Sequence, residues 1–361
     1  MRIELPHKAK YIAIIITLFC LFLTACDTGI SIGGSNNGGS SIGGPTSSGS
    51  IGAGVQGVKV FVEPDAGDSS ITSAIADAQK SVWVEMYLLS DRNVIRALEE
   101  AAHKGRDVRV MLELHPFGGG GSPSRTIDQL KAAGIQAQPT SSSFALTHEK
   151  GMIIDNSTAY IMTSNFTRAA LGGSSGGKSK TTNREYDITD TNPPDVQAVV
   201  EIFNADWNHT TAQFSDPNLV VSPVNSRNAF TTLIGSAHNT LLIEAEEMHD
   251  SNIEQALVDA TKRGVHIQII LPSPSGSARD TNSDGISTIK QGNIQVKEDP
   301  RLYMHAKIIV VDGQKAFVGS ENISTQSLDK NRELGIIVSD GGVLNTLQQT
   351  FQQDWGDSQN V

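Results

Sequence analysis

Two stretches of the chain carry the same polar side chains at the same spacing. The first is Thr147-His148-Glu149-Lys150-Gly151-Met152-Ile153-Ile154-Asp155; the second is Met304-His305-Ala306-Lys307-Ile308-Ile309-Val310-Val311-Asp312. In an extended strand alternate side chains share a face, so each histidine points the same way as the lysine two residues on. Ile153, Ile154 and the run Ile308 to Val311 are buried-strand material. Eight residues beyond each aspartate lie Thr163-Ser164-Asn165 and Ser320-Glu321-Asn322, where a hydroxyl and a carboxamide are again two apart. Each copy thus offers an imidazole, an ammonium, a hydroxyl and a carboxamide. That set suits a phosphodiester. The imidazole can attack phosphorus or carry a proton, the ammonium supplies fixed positive charge, and the neutral donors meet non-bridging oxygens. Histidine suits either proton task because its ordinary pKa of about 6.5 lies near neutrality.

The surrounding chain repeats in the same order, which says how the two sets must be positioned. Val82-Trp83-Val84-Glu85 matches Leu241-Leu242-Ile243-Glu244 at an offset of 159, which also takes Pro64 to Pro223, Asp91 to Asp250 and Gly105 to Gly264. The histidine stretches match at 157. Asn183-Arg184-Glu185 matches Asn331-Arg332-Glu333 at 148, as Phe203, Asp206 and Trp207 match Phe351, Asp354 and Trp355. An ordered series with a drifting offset is a duplication with loop insertions. The nine-residue step falls on Gly172 to Lys180, where lengthening a loop is easiest. Each copy alternates strands and helices. In the first, Val58–Val62 reads as a strand, Ser70–Gln79 as a helix, Val82–Leu88 as a strand, Val94–His103 as a helix ending near Gly105, and Val108–Leu114 as a strand. The second repeats this with Thr240–Ala245, Ile253–Lys262, Gly264 and Val265–Leu271. Such alternation predicts an α/β fold with helices on the faces of the sheet.

Both copies resemble the phospholipase D superfamily, whose signature is His-x-Lys-x4-Asp followed by a Gly-Ser-x-Asn-like turn and an Asn-x-Glu segment. The resemblance covers roughly residues 58–357, and two such motifs in an ordered duplication are far more specific than one. The second copy is the cleaner, with Gly319-Ser320-Glu321-Asn322; the first has Met162 for the glycine and Thr163 for the serine. The resemblance implies two phospholipase D-like lobes, residues 58–215 and 216–361, each a mixed β-sheet flanked by helices, with the active site at their interface. It implies that one histidine forms a phosphohistidine and the other serves as acid and base, His148 being the nucleophile and His305 the acid/base by family analogy. The symmetric sequence alone does not assign these roles. Lys150 and Lys307 would hold the phosphate charge without a metal or other cofactor. Asn165, Asn322, Thr163 and Ser320 would complete the phosphate cradle. Glu185 and Glu333 resemble the buried carboxylates that hold the second ring nitrogen of each histidine. Asp155 and Asp312 would stabilise the fold around the site rather than touch substrate.

Composition narrows the partners. The 361 residues carry a net charge of −11, and no lysine- or arginine-dense run follows Lys10, so binding to nucleic acid through its phosphates is disfavoured. The two cysteines, Cys20 and Cys26, both lie near the N-terminus, which excludes a disulfide scaffold or cysteine zinc site in the body. Arg2, Lys8 and Lys10 precede an apolar run from Tyr11 to Leu23, too short to span a bilayer comfortably, and Leu23-Thr24-Ala25-Cys26 resembles a bacterial lipobox. Residues 1–25 are expected to be a lipoprotein signal peptide and Cys26 the lipidated residue. Their loss, with three basic and one acidic side chain, takes the charge from −11 to −13. The protein is then expected to be exported and lipid-anchored on the outer face of the cytoplasmic membrane, as a monomer. Residues 26–57 are expected to be a flexible tether; Thr28 to Gly57 holds eleven glycines and seven serines and no charge, and would reach about 30 Å.

Other motifs read as bland. Gly172-x4-Gly177-Lys178-Ser179 fits a phosphate-binding loop in letters, but lacks a strand before it and a helix after it. Asp280-x-Asn282-x-Asp284-Gly285 begins like a calcium loop, yet its twelfth position is Gln291. Gly118 to Gly121 reads as a flexible turn. His115, His249 and His266 read as surface histidines, and Trp207 and Trp355 as core packing. The function expected is hydrolysis of a phospholipid headgroup phosphodiester through a phosphohistidine. The alternatives are an exported nuclease or other phosphodiesterase, a phosphatidyltransferase of the cardiolipin synthase kind, and, least favoured, a non-catalytic binding protein. Cardiolipin synthase-like relatives usually carry N-terminal transmembrane helices, and none is visible in this sequence, which speaks for hydrolysis.

Overall fold

In the computed structural model, which describes residues 51–117, 122–172, 182–274 and 281–361, the repeated strands build two mixed eight-stranded sheets. The first runs Lys59–Glu63, Asn183–Asp190, Thr158–Met162, Lys150–Ile154, Ser81–Met86, Asp107–Leu112, Gln136–Pro139, with Tyr303–Met304 as an eighth strand on Asn183–Asp190. The second repeats that order as Leu219–Ser222, Glu333–Val338, Lys315–Gly319, Lys307–Val311, Thr240–Ala245, His266–Pro272, Gln295–Asp299, with Gln359–Asn360 added at the edge. Ser81–Met86 runs parallel to Asp107–Leu112, and Thr240–Ala245 runs parallel to His266–Pro272. Each histidine–lysine strand is antiparallel to both neighbours, in the middle of its sheet. Central placement explains the uninterrupted apolar runs, since both faces are covered.

One core lies between the sheets. Ile153, Ile161 and Ile188 of the first meet Ile308, Val318 and Ile336 of the second, with Phe203 and Phe351 from the helices Pro193–Trp207 and Gly341–Asp357. Trp207 and Trp355 pack against this core, stacked on Phe203 and Phe351. The outer faces are covered by other helices, through Ile71, Leu98 and Leu130 on one side and Phe230, Leu257 and Ile289 on the other.

The lobes also exchange backbone pairing. Tyr303-Met304 of the second lobe adds in parallel to Asn183-Arg184 of the first, and Thr147 of the first forms a parallel bridge with Arg332 of the second. Both contacts lie immediately before a motif histidine.

The tether expected over 26–57 ends earlier than its composition suggested. Val55 is buried, its N–H donates to Ile337 O at 3.0 Å, and its own carbonyl accepts from Ser339 N at 2.8 Å. Gly54 permits this: it sits at φ 95, and a Cβ there would fall 2.9 Å from Ser339 N. The expected signal peptide, Cys26, the tether up to residue 50, Gly118–Gly121, residues 173–180 of the glycine-rich loop and Asp280 lie outside the described residues. Among the described residues no helix is long and apolar enough to cross a membrane.

Several carboxylates are walled in by this core. Burial pushes Glu63 up to about 8 and Asp187 up to about 7, and raises Glu85, Glu149 and Glu244 as well. The folded protein therefore keeps protons that the unfolded chain releases near pH 4–4.5, and this contribution is lost as pH rises toward the folded values. His148 and Lys150 are shifted down and act oppositely, but His148 only below 6.5 and Lys150 only above about 7. The five carboxylates outweigh them. The carboxylates held low, such as Asp155, Asp312 and Glu333, make their contribution above the unfolded values and lose it only in stronger acid. The melting temperature should thus be highest near pH 5 and fall steadily to pH 8. A scan that is flat or rising over that interval would contradict this account.

Candidate active site

The motif aspartates come first because they set the strands. Asp155 and Asp312 adopt left-handed backbone at φ 56 and φ 52, which turns the chain out of each histidine–lysine strand. Their carboxylates then cap neighbouring backbone: Asp155 accepts from Gln79, Lys80 and Ser81 N–H, and Asp312 from His238, Asn239 and Thr240 N–H, at 2.6–3.1 Å. Both carboxyls are held below the ordinary range because these amide donors outweigh burial. The two aspartates lie at the far end of the strand from the histidines and fasten it to the adjacent strand.

At the near end the exchange between lobes becomes chemical. His148 Nδ1 lies 2.9 Å from Glu333 Oε2, and His305 Nδ1 lies 2.8 Å from Glu185 Oε2. Each histidine is thus held by the other lobe's glutamate. The glutamates are fixed in turn. Glu185 accepts from Thr163 Oγ1 at 2.7 Å and Asn183 Nδ2 at 2.9 Å; Glu333 accepts from Ser327 Oγ at 2.7 Å and Asn331 Nδ2 at 3.1 Å. A carboxylate on Nδ1 leaves a proton on that nitrogen and Nε2 as the reactive one. Glu333 stays below the usual carboxylate range: burial would raise it, but His148, Lys150 and Ser327 outweigh that.

Lys150 and Lys307 each donate to the carbonyl of the histidine two residues back, His148 O and His305 O. Lys150 is fully buried and has the Tyr87 ring 5.0 Å from its ammonium. Burial, and then the positive charge of Lys307, bring it down to about 7. His148 is also lowered, by burial first, with Lys150 and Lys307 adding to it against Glu333. These mutual effects follow from the two half-sites sharing one cleft. Tyr87 packs edge-on against His148, with ring centroids 4.6 Å apart.

Asn165 and Asn322 are both buried, each with a carboxamide oxygen that has no hydrogen-bond partner among the described residues, and Asn322 Nδ2 lies 3.4 Å from Glu246 Oε2. Thr163 and Ser320 correct the expected cradle. Both are fully buried; Thr163 Oγ1 is spent on Glu185 and on Tyr186 N–H, and Ser320 Oγ accepts from Leu334 N–H at 3.0 Å. They stand behind the site and fix the glutamate-bearing strands.

Sequence reasoning missed Glu246. Its Oε2 takes Lys307 Nζ at 2.8 Å, Asn322 Nδ2 at 3.4 Å and His305 Nε2 at 3.4 Å, while Oε1 accepts from Tyr303 OH at 3.0 Å. Burial would raise this carboxyl, but His305 and Lys307 hold it far below its usual range. The offset of 159 places Glu246 over Tyr87, so a break in the repeat beside the motif strand was the available signal. The calcium-like run is used differently: Asn282 Oδ1 accepts from Met248 N–H and its Nδ2 donates to Glu246 O, so it anchors the turn that carries Glu246. His115, His249 and His266 are exposed, as expected. Among the described residues one group of carboxylates has the spacing to hold a metal ion, Glu85, Glu149 and Asp206, buried behind the first half-site with Arg332 on Asp206.

Comparison with known proteins places this geometry. A family model described as cardiolipin synthase, PLD-like domain, matches residues 71–207 and 230–355. A probable cardiolipin synthase of Bacillus subtilis (strain 168) is 22% identical over 347 residues, 84% of this chain and 67% of that protein. Phospholipase D Z of Dictyostelium discoideum is 35% identical over 111 residues, 29% of this chain and 26% of that protein. The chain thus spans about two thirds of the synthase's length and about a quarter of the phospholipase's. Among solved structures, phosphatidylserine synthase of Haemophilus influenzae Rd KW20 superposes with a TM-score of 0.63 at 14% identity, covering 85% of this chain and 88% of that one. That likeness supports the two-lobed fold.

Proposed function

The chain belongs to the PLD-like domain family described as cardiolipin synthase, and from that premise we propose that it is a phosphatidyltransferase working through a phosphohistidine. The observation that carries this reading is the crosswise lock of His148 on Glu333 and His305 on Glu185, which leaves both Nε2 atoms as the reactive nitrogens of one cleft that also holds Lys150 and Lys307. His148 Nε2 attacks phosphorus, the bond to the leaving alcohol breaks, and His305 gives that oxygen its proton. An incoming hydroxyl then loses its proton to His305, its oxygen attacks phosphorus, and the P–N bond breaks. The ammonium ions and carboxamides offset the charge on the non-bridging oxygens.

Water or an alcohol can resolve the same intermediate, so hydrolysis and transfer differ in the acceptor alone. The sequence favoured hydrolysis. The relatives matched over most of the chain favour transfer, the synthase name standing on a match of 84% of the chain and the phospholipase name on 29%. Cardiolipin consists of two phosphatidyl groups joined through one glycerol. Making it by this chemistry means placing a phosphatidyl group on the free primary hydroxyl of phosphatidylglycerol. Export and lipid anchoring at Cys26 are part of this proposal and would put the site beside its substrate.

Vesicles of phosphatidylglycerol, assayed in EDTA beside supercoiled plasmid, test the reading. The expected result is cardiolipin and free glycerol, with the plasmid intact. Phosphatidate without cardiolipin would return the hydrolytic reading. Plasmid nicking without lipid turnover would end the lipid claim, and activity restored by a divalent ion after EDTA would end the metal-independent mechanism.

A further inference from the structure

The two half-sites repeat the histidine, lysine, asparagine and glutamate, yet they are not equivalent. In the first, Lys150 has an aromatic ring beside it, and among the described residues no carboxylate lies within ion-pairing distance of its ammonium. In the second, Lys307 meets Glu246 at 2.8 Å. The oxygen that does so, Oε2, also lies 3.4 Å from Asn322 Nδ2 and 3.4 Å from His305 Nε2. Ammonium and carboxamide are the donors a non-bridging phosphate oxygen would need in that half-site, beside the reactive imidazole edge. A carboxylate oxygen that takes both donors and lies against that edge has the charge and the place of the phosphate oxygen.

We infer that Glu246 is a resident anion in the phosphate seat of the second half-site, which orients Lys307 and Asn322 while the site is empty and yields its place when a phosphate enters. The inference rests on the reading that these donors bind phosphate. Glu246 is able to yield. It follows the last residue of the strand Thr240–Ala245, and its side chain keeps 18% of its surface exposed where the motif lysine keeps 1%. Tyr303 OH, on Oε1, gives the carboxylate a second hold on the rim of the seat. Entry of a phosphate therefore exchanges one anion for another on the same donors. Its apparent affinity is lowered by the strength of the bonds Glu246 must release. The device also protects the second half-site from casual anions, since a ligand must out-compete a tethered carboxylate.

Glu246→Gln keeps the size and removes the charge. Inorganic phosphate, titrated into the full chain by calorimetry, should bind about tenfold or more tightly to the variant, because a charge-assisted contact has been taken from the competitor. Glu246→Asp draws the carboxylate back by one methylene and should fall between the two. With phosphatidylglycerol as substrate, Glu246→Gln should lower KM more than it changes kcat. Unchanged or weaker phosphate binding by both variants, with melting temperatures near that of the parent, would overturn the inference, and so would a failure of either variant to bind phosphate at all. If Glu246→Gln does not fold, Glu246→Asp alone decides by the same criterion. Tighter phosphate binding alongside no turnover of lipid would sink the proposed substrate and leave the role of Glu246 standing.

Discussion

Alanine in place of His148 should stop turnover of every phosphodiester, lowering the rate by at least about 10⁴-fold, whereas alanine in place of His305 should spare the first half of the reaction when the leaving group needs no proton. The argument starts from an asymmetry in the surroundings of two like residues. Burial, with Lys150 and Lys307 behind it, drives His148 toward its neutral form, the one with a lone pair on Nε2. A neutral buried ring within reach of the charge of both lysines is a nucleophile whose product, a phosphorylated imidazole, brings negative charge toward them. His305 lies against a carboxylate at each ring nitrogen, Glu185 at 2.8 Å and Glu246 at 3.4 Å, and by contrast with His148 it is assigned the proton transfers. A p-nitrophenyl phosphodiester separates the roles because its phenolate leaves without help. His305→Ala should release about one equivalent of p-nitrophenolate per site in a burst and accumulate phosphoenzyme, while His148→Ala should show no burst. With an alkyl leaving group His305→Ala should lose about 10²–10⁴-fold. A burst from His148→Ala and none from His305→Ala would reverse the assignment.

Much of this site could be read from the sequence, because its chemistry repeats. The histidines, lysines, asparagines, glutamates and capping aspartates stand at fixed spacings on or beside strands with buried apolar runs. What the repeat could not say is which copy serves which. An offset aligns Glu185 with Glu333, but it does not show that each crosses to the other lobe's histidine; that depends on the pairing of Tyr303-Met304 with Asn183-Arg184 and of Thr147 with Arg332. Nor could single positions be judged without their cross-strand partners. Gly319 faces Gly335, where a Cβ would fall 2.3 Å from Gly335 Cα and 2.8 Å from Glu321 Oε2. In the first copy Met162 faces Asp187, and Ser164 Oγ donates to Asp187 Oδ2 at 2.6 Å. The buried carboxylate has changed strands between copies, and the glycine of one is answered by a larger residue in the other. Met162 is therefore a compensated exchange. Thr163 and Ser320 were misplaced for a related reason. Alternation along a strand gives two faces, and only the second sheet decides which face lines the cleft.

The crossing that aligns the glutamates also sets the second large effect, in stability. Arg184 stands one residue before Glu185 and reaches into the other lobe, giving Nε and Nη2 to Asp354 at 2.6 and 2.8 Å, while its Nη1 donates to Glu63 O of its own lobe at 2.9 Å. Arg332, one residue before Glu333, does the reciprocal with Asp206 and Ser222 O. Both ends of the Arg184 pair are nearly solvent-free, at 4% and 0% side-chain exposure. Asp354→Ala leaves a guanidinium buried with no counter-charge, and should lower unfolding free energy by about 3–5 kcal/mol, because removing one partner strands the other. In melting temperature that is a fall of roughly 10 °C for a chain of this size. Arg184→Met with Asp354→Leu should recover at least half of the loss, since a well-packed apolar pair avoids the desolvation that the ion pair must offset. Denaturant unfolding of the single and double variants decides it. A double variant no more stable than Asp354→Ala would mean that the bond from Arg184 to Glu63 O, within the first lobe, outweighs the charge pair between the lobes. An Asp354→Ala change below about 1 kcal/mol would put the pair among weak surface contacts and remove it from the account of how Glu185 is held against His305.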